Sequence, residues 1–600
     1  MKKMLLVIAV SFFTLEAIAQ VVVAGVSPAS VQGNYDYGIQ ANEGGWPGET
    51  DDGTWALALD FNTDGVFVQG EIKLVEDGTP GTNLQGNPIS QEGCATLTND
   101  LTGKIAVIYR NTCNFSLKAL NAQNAGAIAV IIVNREDAAI AMTAGTDGIN
   151  VTIPVVILNK TDGSAMIAAM QGGTVPVVMF IGNKFGINTN DVGSGPDNTI
   201  IATQATTPSI LAQSAADFSF TPGLAIVNYG NATQTSVYVT ATIDAPGAPA
   251  AYTSTVGPLT MAYKDTINIF DGNPETFALF SLPAYPLGEY TLNYTITLGM
   301  TTADEAIGDN SFTSNFYVSD DIYSYARLNM VDNEPVSMSY PMNYTQGYKS
   351  CIRFNNANAS RAGVEGLYTS IKVDLDTFDL QAQEISLYAY TWNDLATTFS
   401  ATPTFLDFTQ VAFAQYYPPA SYVNGEEIFI PFAVPFILVD NTNYLFCIET
   451  QIPEPAFGYD DIVNYNANSQ ILDDVITPIY IDDIGTTTDQ WYAAGWNGNP
   501  APSIGMKLFP AAELGLVDVT ELKGIAYPNP ASDNVTVAIN ATGAATLVVT
   551  DITGKIVLNK NLSLTNGNAD VNTSSLEAGI YIFNVTLDNN QTSQFNVVIK

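Results

Sequence analysis

Histidine occurs at none of the 600 positions of this chain, and that limits what its other reactive side chains can do. Without an imidazole there is no Ser-His-Asp or Cys-His arrangement, no HExxH zinc helix and no ready proton shuttle near neutral pH. Catalysis would have to run on carboxylates, Tyr or Lys. Neither Ser-x-x-Lys nor Asp-Thr/Ser-Gly occurs, so no Ser-Lys hydrolase and no aspartic protease is written here. One group of side chains does have ligand spacing. Asp60, Asn62, Asp64, Gly65 and Glu71 fit the Asp-x-[Asp/Asn]-x-[Asp/Asn]-Gly-x5-Glu calcium loop. An EF-hand needs a helix on each side of that loop, whereas the run Trp55 to Asp60 and the run Val66-Phe67-Val68 alternate as strands do. A β-hairpin is therefore the preferred reading, with calcium the one cofactor the motif would take.

A second concentration of carboxylates lies between Asp320 and Pro510, with 23 Asp and Glu against 6 Lys and Arg. Asp460-Asp461, Asp473-Asp474 and Asp482-Asp483 are adjacent pairs, and neighbours on a strand point to opposite faces, so each pair is a weak ligand set and reads first as a solvated face. A glycosidase would need two carboxyl groups roughly 5 to 9 Å apart with one held protonated, and Glu449 and Asp460 are the candidates for testing. The same stretch holds Trp392, Trp491, Tyr492 and Trp496, whose rings could stack on sugar faces, although Trp is also an ordinary core residue.

The elements that must position these groups are strands. Only 13% of residues are charged, helix-forming Lys, Arg and Glu are scarce, and short β-branched and aromatic runs alternate with Asn, Gly and Asp turns. At 600 residues the chain exceeds what one core supports, and four domains are expected. The net charge of −39 would repel phosphate backbones, which argues against nucleic acid as a partner and suits cations or basic surfaces. Lys2 and Lys3, the apolar run Met4 to Phe13 and the site Ala17-Ile18-Ala19 form a signal peptide, with a mature start expected at Gln20. No later segment has the roughly 20 apolar residues of a membrane helix. Four cysteines, Cys94, Cys113, Cys351 and Cys447, allow three disulfide connectivities in an exported chain.

Two stretches resemble known families. Tyr527-Pro528-Asn529-Pro530, Val535-Thr536-Val537, Leu547 to Thr550, Asp551-Ile552-Thr553-Gly554-Lys555, Leu576 to Tyr581 and Phe595 to Lys600 resemble the C-terminal sorting domain of type IX secretion cargo. The resemblance implies export through the periplasm to the outer surface or the medium, contact with the type IX machinery, and removal of the tail on the way. Residues from about Val23 to Lys184 resemble the protease-associated (PA) domain: Ser27 to Ser30, Gly33-Asn34-Tyr35, Cys94, the strand Gly103 to Arg110, Cys113-Asn114-Phe115, Lys118, Asn121 to Ile131, Asn134, Ile153 to Ile157 and Asp162-Gly163. Asn111 stands where that family usually carries Gly. The PA spacing implies a Cys94–Cys113 disulfide and leaves Cys351 with Cys447.

The family resemblance also implies a non-catalytic module that binds peptides or controls access to a neighbouring peptidase. Leu224 to Asn231 and Leu287 to Tyr294 resemble strands of CARDB-like or fibronectin-like sandwiches. The fold expected is mainly β and multidomain: signal peptide 1–19, α/β PA domain 20–187, linker 188–208, immunoglobulin-like sandwich 209–320, larger acidic sandwich or jelly roll 321–510, linker 511–524, and a small sorting sandwich 525–600. The function expected is that of an exported, non-catalytic binding or accessory protein whose partners are a secreted peptidase, a peptide or a surface polysaccharide. The alternative is a carboxylate-based glycan-active enzyme or glycan-binding adhesin using 321–510.

Overall fold

A computed structural model describes residues 21–40, 54–83, 85–135, 140, 142–299, 303–340, 347–373, 378–392, 408–472, 477–481, 490–492, 501–513, 524–539, 541–587 and 592–600. The signal peptide, most of the 511–524 linker, Trp496, and the pairs Asp473-Asp474 and Asp482-Asp483 lie outside those residues. The protein is mostly β, with 48% strand and 11% helix.

The N-terminal unit is an eight-stranded sheet made from β1 (Val21–Ser27), β2 (Gly33–Asn34), β3 (Tyr37–Ile39), β4 (Phe67–Leu74), β5 (Ile105–Tyr109), β6 (Ala129–Val133), β7 (Val155–Leu158) and β8 (Val178–Asn183), in the order β2-β1-β8-β4-β5-β6-β7-β3. The steps β4-β5-β6-β7 are parallel. Strands buried on both faces need unbroken apolar runs, and Ile105-Ala106-Val107-Ile108 and Ala129 to Val133 supply them. Helix α1 (Phe115–Asn124) lays Ala119 and Ala122 on one face. Helix α2 (Lys160–Gly172) covers the other with Met166 and Ile167, and starts where the Asn159 side chain accepts from the Asp162 amide at 2.7 Å. Gly163 lets α2 approach closely, since a Cβ there would stand 2.5 Å from a Val133 methyl.

The body is built on a ten-stranded sheet that does not respect the expected boundaries. In chain order the strands here are β9 (Val192–Gly193), β10 (Thr206–Pro208), β11 (Leu224–Asn228), β12 (Gln234–Ala245), β13 (Ala248–Met261), β14 (Thr266–Ile269), β15 (Gly288–Leu298), β16 (Ser311–Ser319) and β17 (Ile322–Ser324), of which β14, β11 and β9 form a separate three-stranded sheet. The order in the ten-stranded sheet runs β13-β12-β15-β16-β10-β17 and continues into strands Gly505–Pro510, Ala362–Lys372 and Glu427–Ile437, with Ala456–Phe457 pairing Ala362–Lys372 off that path. Stretch 188–208, expected to be a linker, is thus partly a sheet element: β10 runs parallel to β16 and pairs antiparallel with β17, joining the two sandwiches across the expected 320/321 division. Its Thr and Ser residues read as linker composition, but Ser194 donates to Ala225 O at 2.6 Å and Thr206 to Ala326 O at 3.1 Å, so they are buried with partners.

A six-stranded sheet, in the order Phe408–Tyr416, Ile385–Trp392, Tyr444–Thr450, Tyr348–Phe354, Ile479–Ile481 and Gln490–Tyr492, forms the other layer of the acidic sandwich. Cys351 is bonded to Cys447 across two of its strands. The C-terminal unit packs three-stranded and four-stranded sheets around Val537, Leu547, Phe583 and Val597, and rests on the body where the Tyr527 ring meets Phe413 at 6.4 Å between centroids.

Candidate functional site

In an α/β sheet, ligands gather where the carboxyl ends of parallel strands release their loops. Here β5, β6 and β7 release Arg110, Asn134 and Asn159. Arg110 Nη1 donates to Asn134 Oδ1 at 2.8 Å, and its guanidinium carbon lies 5.4 Å from the centroid of the Phe115 ring. Asn134 is buried and its Oδ1 also accepts from the Arg135 amide at 2.8 Å, so the strand end fixes the arginine. Gly145, with φ of +52°, passes over this turn; a Cβ there would meet Ser116 Oγ at 3.5 Å and Asn114 Nδ2 at 3.6 Å.

The rim is braced from behind. Cys94 is bonded to Cys113, tying the turn to the segment carrying Glu92. The buried Glu92 carboxylate accepts from Asn83 Nδ2 at 3.0 Å, Asn111 Nδ2 at 2.9 Å and Thr112 Oγ1 at 2.7 Å. Burial pushes its carboxyl up, but hydrogen bonds led by Asn111 outweigh this and hold it below the usual range. Asn111, the departure from the PA pattern, therefore has its own work as a Glu92 donor. Lys118 Nζ donates to the Glu92 carbonyl at 2.7 Å, and burial lowers its ammonium to about 8.

The residues with calcium-loop spacing each have separate partners. Asp60 accepts from the amide and side chain of Asn62, both at 3.0 Å, and from Thr63 Oγ1 at 3.1 Å, closing the turn on itself. Asp64 accepts from Tyr263 OH at 2.9 Å and pairs with Lys264 Nζ at 2.6 Å, reaching into the sandwich. Glu71, on β4, pairs with Lys104 at 2.5 Å. Among the described residues no three His, Cys, Asp or Glu side chains converge to hold a metal ion.

The proposed sugar platforms need correction. Trp392 and Trp491 are 4% and 6% exposed and pack in one cluster with Tyr390, Tyr480 and the Cys351–Cys447 disulfide. Their large apolar area is spent on the core of the six-stranded sheet, so neither ring is offered to a ligand. Tyr492 follows Trp491 in the strand Gln490–Tyr492. Of the trial carboxylates, Asp460 is fully buried and bonded by Arg327 through Nε at 2.9 Å and Nη2 at 3.0 Å, and Glu449 lies 3.5 Å from Lys349.

A different carboxyl is perturbed. Glu427 borders a cavity of about 200 Å³ with Asp332, Glu334 and Gly425, accepts from Ser337, and accepts from Ser503 Oγ at 3.2 Å. Burial pushes Glu427 up to about 8. Nothing in its sequence neighbourhood marks it, because strands far apart in the chain create its surroundings.

Comparison with known proteins places these features. Residues 68–166 match the PA domain. Residues 525–600 match the secretion system C-terminal sorting domain. The sorting domain marks the protein as type IX cargo, delivered to the outer surface or secreted, and no helix among the described residues is long and apolar enough to cross a membrane. The chain is 31% identical over 122 residues to probable leucine aminopeptidase 2 of Aspergillus fumigatus, covering 19% of this chain and 24% of that protein. It is 46% identical over 69 residues to aminopeptidase YwaD of Bacillus subtilis, covering 12% and 15%. It is 37% identical over 89 residues to human ER degradation-enhancing alpha-mannosidase-like protein 3, covering 13% and 10%. The chain thus spans at most about a quarter of the length of these relatives. Among solved structures, an aminopeptidase from Aneurinibacillus sp. strain AM-1 aligns at 21% identity over 27% of this chain and 30% of that one, with a TM-score of 0.19.

Proposed function

We propose that this chain is an exported binding protein without catalytic activity of its own, and that its PA domain captures peptide segments at the Arg110–Phe115–Asn134 rim. The observation that carries this reading is the small share of the relatives that is matched: two of them are named aminopeptidases, yet the match covers 24% of one and 15% of the other. Elsewhere this chain has no histidine with which to build a metallopeptidase or a Ser/Cys-His centre. The rim supplies a planar cation held beside an aromatic ring, suited to a carboxylate or backbone carbonyl with an apolar neighbour. Binding of the full chain to a tiled peptide array, compared with Arg110→Ala, tests it. Selective capture lost in the variant supports the reading, whereas capture unchanged by Arg110→Ala moves the contact elsewhere.

Glu427 favours a second reading, the glycan-active enzyme. A carboxyl neutral at pH 7 beside a cavity and two further carboxylates has the protonation state of a general acid. Turnover of any member of a glycan panel, abolished by Glu427→Gln, would establish it over the binding role.

A further inference from the structure

The PA domain meets the sandwich across a seam whose charges do not balance. Lys184, one residue beyond β8, donates to Asp191 Oδ1 at 3.0 Å and to Asp309 Oδ2, and its ammonium lies 3.9 Å from the Tyr229 ring centroid. Asp191 and Asp309 are 0% and 2% exposed, so two buried carboxylates share one ammonium. Asn34 of β2 donates to Asp309 Oδ2 at 3.3 Å and to the Ser194 carbonyl at 3.2 Å, and Asn188 donates to Asp191 Oδ2 at 2.9 Å. Asp309 Oδ1 has no hydrogen-bond partner among the described residues. Asp304, bonded by the Val192 amide at 3.0 Å, and Glu305, bonded by the Thr189 and Asn190 amides at 2.6 and 2.9 Å, add negative charge from the sandwich side. A second approach of like charges lies alongside: Asp36, between β2 and β3, feels Asp197 of the sandwich side and Asp162 of α2, with Tyr37 as its titratable neighbour.

We propose that this seam is a proton-operated clasp: in mild acid Asp309 and Asp36 take up protons and the PA domain is held tightly against the sandwich, while toward neutrality the excess buried charge slackens the contact. The argument is electrostatic. A carboxylate in a low-dielectric seam whose bonded ammonium is already shared gains by binding a proton, and an open seam restores it to water. Burial pushes Asp309 up to about 6, with the Lys184 ammonium opposing and Asp191 and Asp304 adding to the rise. Burial, then Asp197, pushes Asp36 up to about 6. Asp304 is raised chiefly by burial. Lys184 stays charged, because Asp309 and Asp191 outweigh the burial that would lower it, and burial keeps the Tyr229 phenol protonated.

The sign follows from linkage. In the open seam these carboxyls return to about 4, so between pH 4 and 6 the closed seam binds more protons than the open one. Closure is favoured in acid and is lost as pH rises through 6. From pH 5 to 7 each group changes the closed-to-open ratio about tenfold.

Native-state hydrogen exchange on the full chain at pH 5 and pH 7, corrected for intrinsic rates, reads this directly. The reporter is the amide of Gly186, at the PA end of the seam, bonded to Tyr229 O of the sandwich at 2.8 Å; strand β6 is the internal reference. The expected result is protection at least tenfold higher at pH 5 than at pH 7 for the seam relative to β6. Asp309→Asn and Asp36→Asn should each remove about a tenfold part of that step. Equal protection at the two pH values overturns the proposal, as does a step unchanged in both variants. Should Asp309→Asn fail to fold, the wild-type comparison and Asp36→Asn still decide.

Discussion

Thr206 Oγ1 donates to the carbonyl oxygen of Ala326 at 3.1 Å, with both residues fully buried, so a strand from a turn-rich stretch is stitched to the start of the acidic sandwich. The pairing of β10 with both β16 and β17 makes the two sandwiches one sheet. They should therefore unfold together. Thr206→Val removes the donor, leaves the Ala326 carbonyl without it, and should cost about 1–3 kcal/mol. Calorimetry of the full chain should show one transition for the joined sandwiches that shifts as a whole; two transitions responding separately would contradict the joined sheet.

Trp392→Ala should behave as a core deletion. The ring is 4% exposed and packs with Leu445 and Trp491 around the Cys351–Cys447 disulfide. The loss expected is about 3–5 kcal/mol. Urea unfolding measures it, and a change under 1 kcal/mol would return this side chain to consideration as a surface platform.

Glu427 should make stability fall as pH rises. Its folded value of about 8 lies above its ordinary value of 4.5, so the folded chain holds a proton there that the unfolded chain releases. That stabilisation is complete below about 4.5 and is lost as pH climbs through 8. Glu427→Gln should match the native chain near pH 5 and exceed it in melting temperature at pH 8.5. A variant less stable than the native chain at both pH values would contradict a neutral Glu427.

Lys118 runs the other way. Burial lowers it to about 8 against an ordinary 10.5, so the unfolded chain holds more protons and the PA domain gains stability as pH rises from 8 toward 10. Lys118→Met should abolish that gain, which is at most ~3 kcal/mol for a lowering from 10.5 to about 8. Hydrogen exchange in β5 and β6, compared at pH 8 and pH 9.5 in both chains, provides the check.

The parts of this structure legible in the sequence are those where local pattern and global burial agree. Ile105 to Tyr109 and Ala129 to Val133 are apolar throughout because parallel strands are covered on both faces, and Asp162-Gly163 of the PA pattern lies in the first turn of α2. The spacing of Cys94 and Cys113 goes with the PA pattern, and the two are bonded. What could not be read depended on distant partners. Stretch 188–208 has the composition of a linker, and residues supplied from far along the chain, among them Ala225, Asp309 and Ala326, turn its polar groups into sheet and seam. Trp392 and Trp491 have the same appearance in a sequence whether they face a sugar or a disulfide, and their neighbours decide. The spacing of Asp60, Asp64 and Glu71 was suggestive, but spacing alone does not show that Lys264 and Lys104 stand beside two of them.

Tyr527, the first aromatic of the sorting domain, lies against Phe413 of the body, with Ala538 packed in the same cluster. Cutting the backbone between Glu513 and Gly524 would break the covalent connection without breaking this one. Severance and departure would therefore be distinct events: a clipped tail would remain a bound fragment for as long as its aromatic foothold lasts, and its shedding would be a dissociation with its own rate.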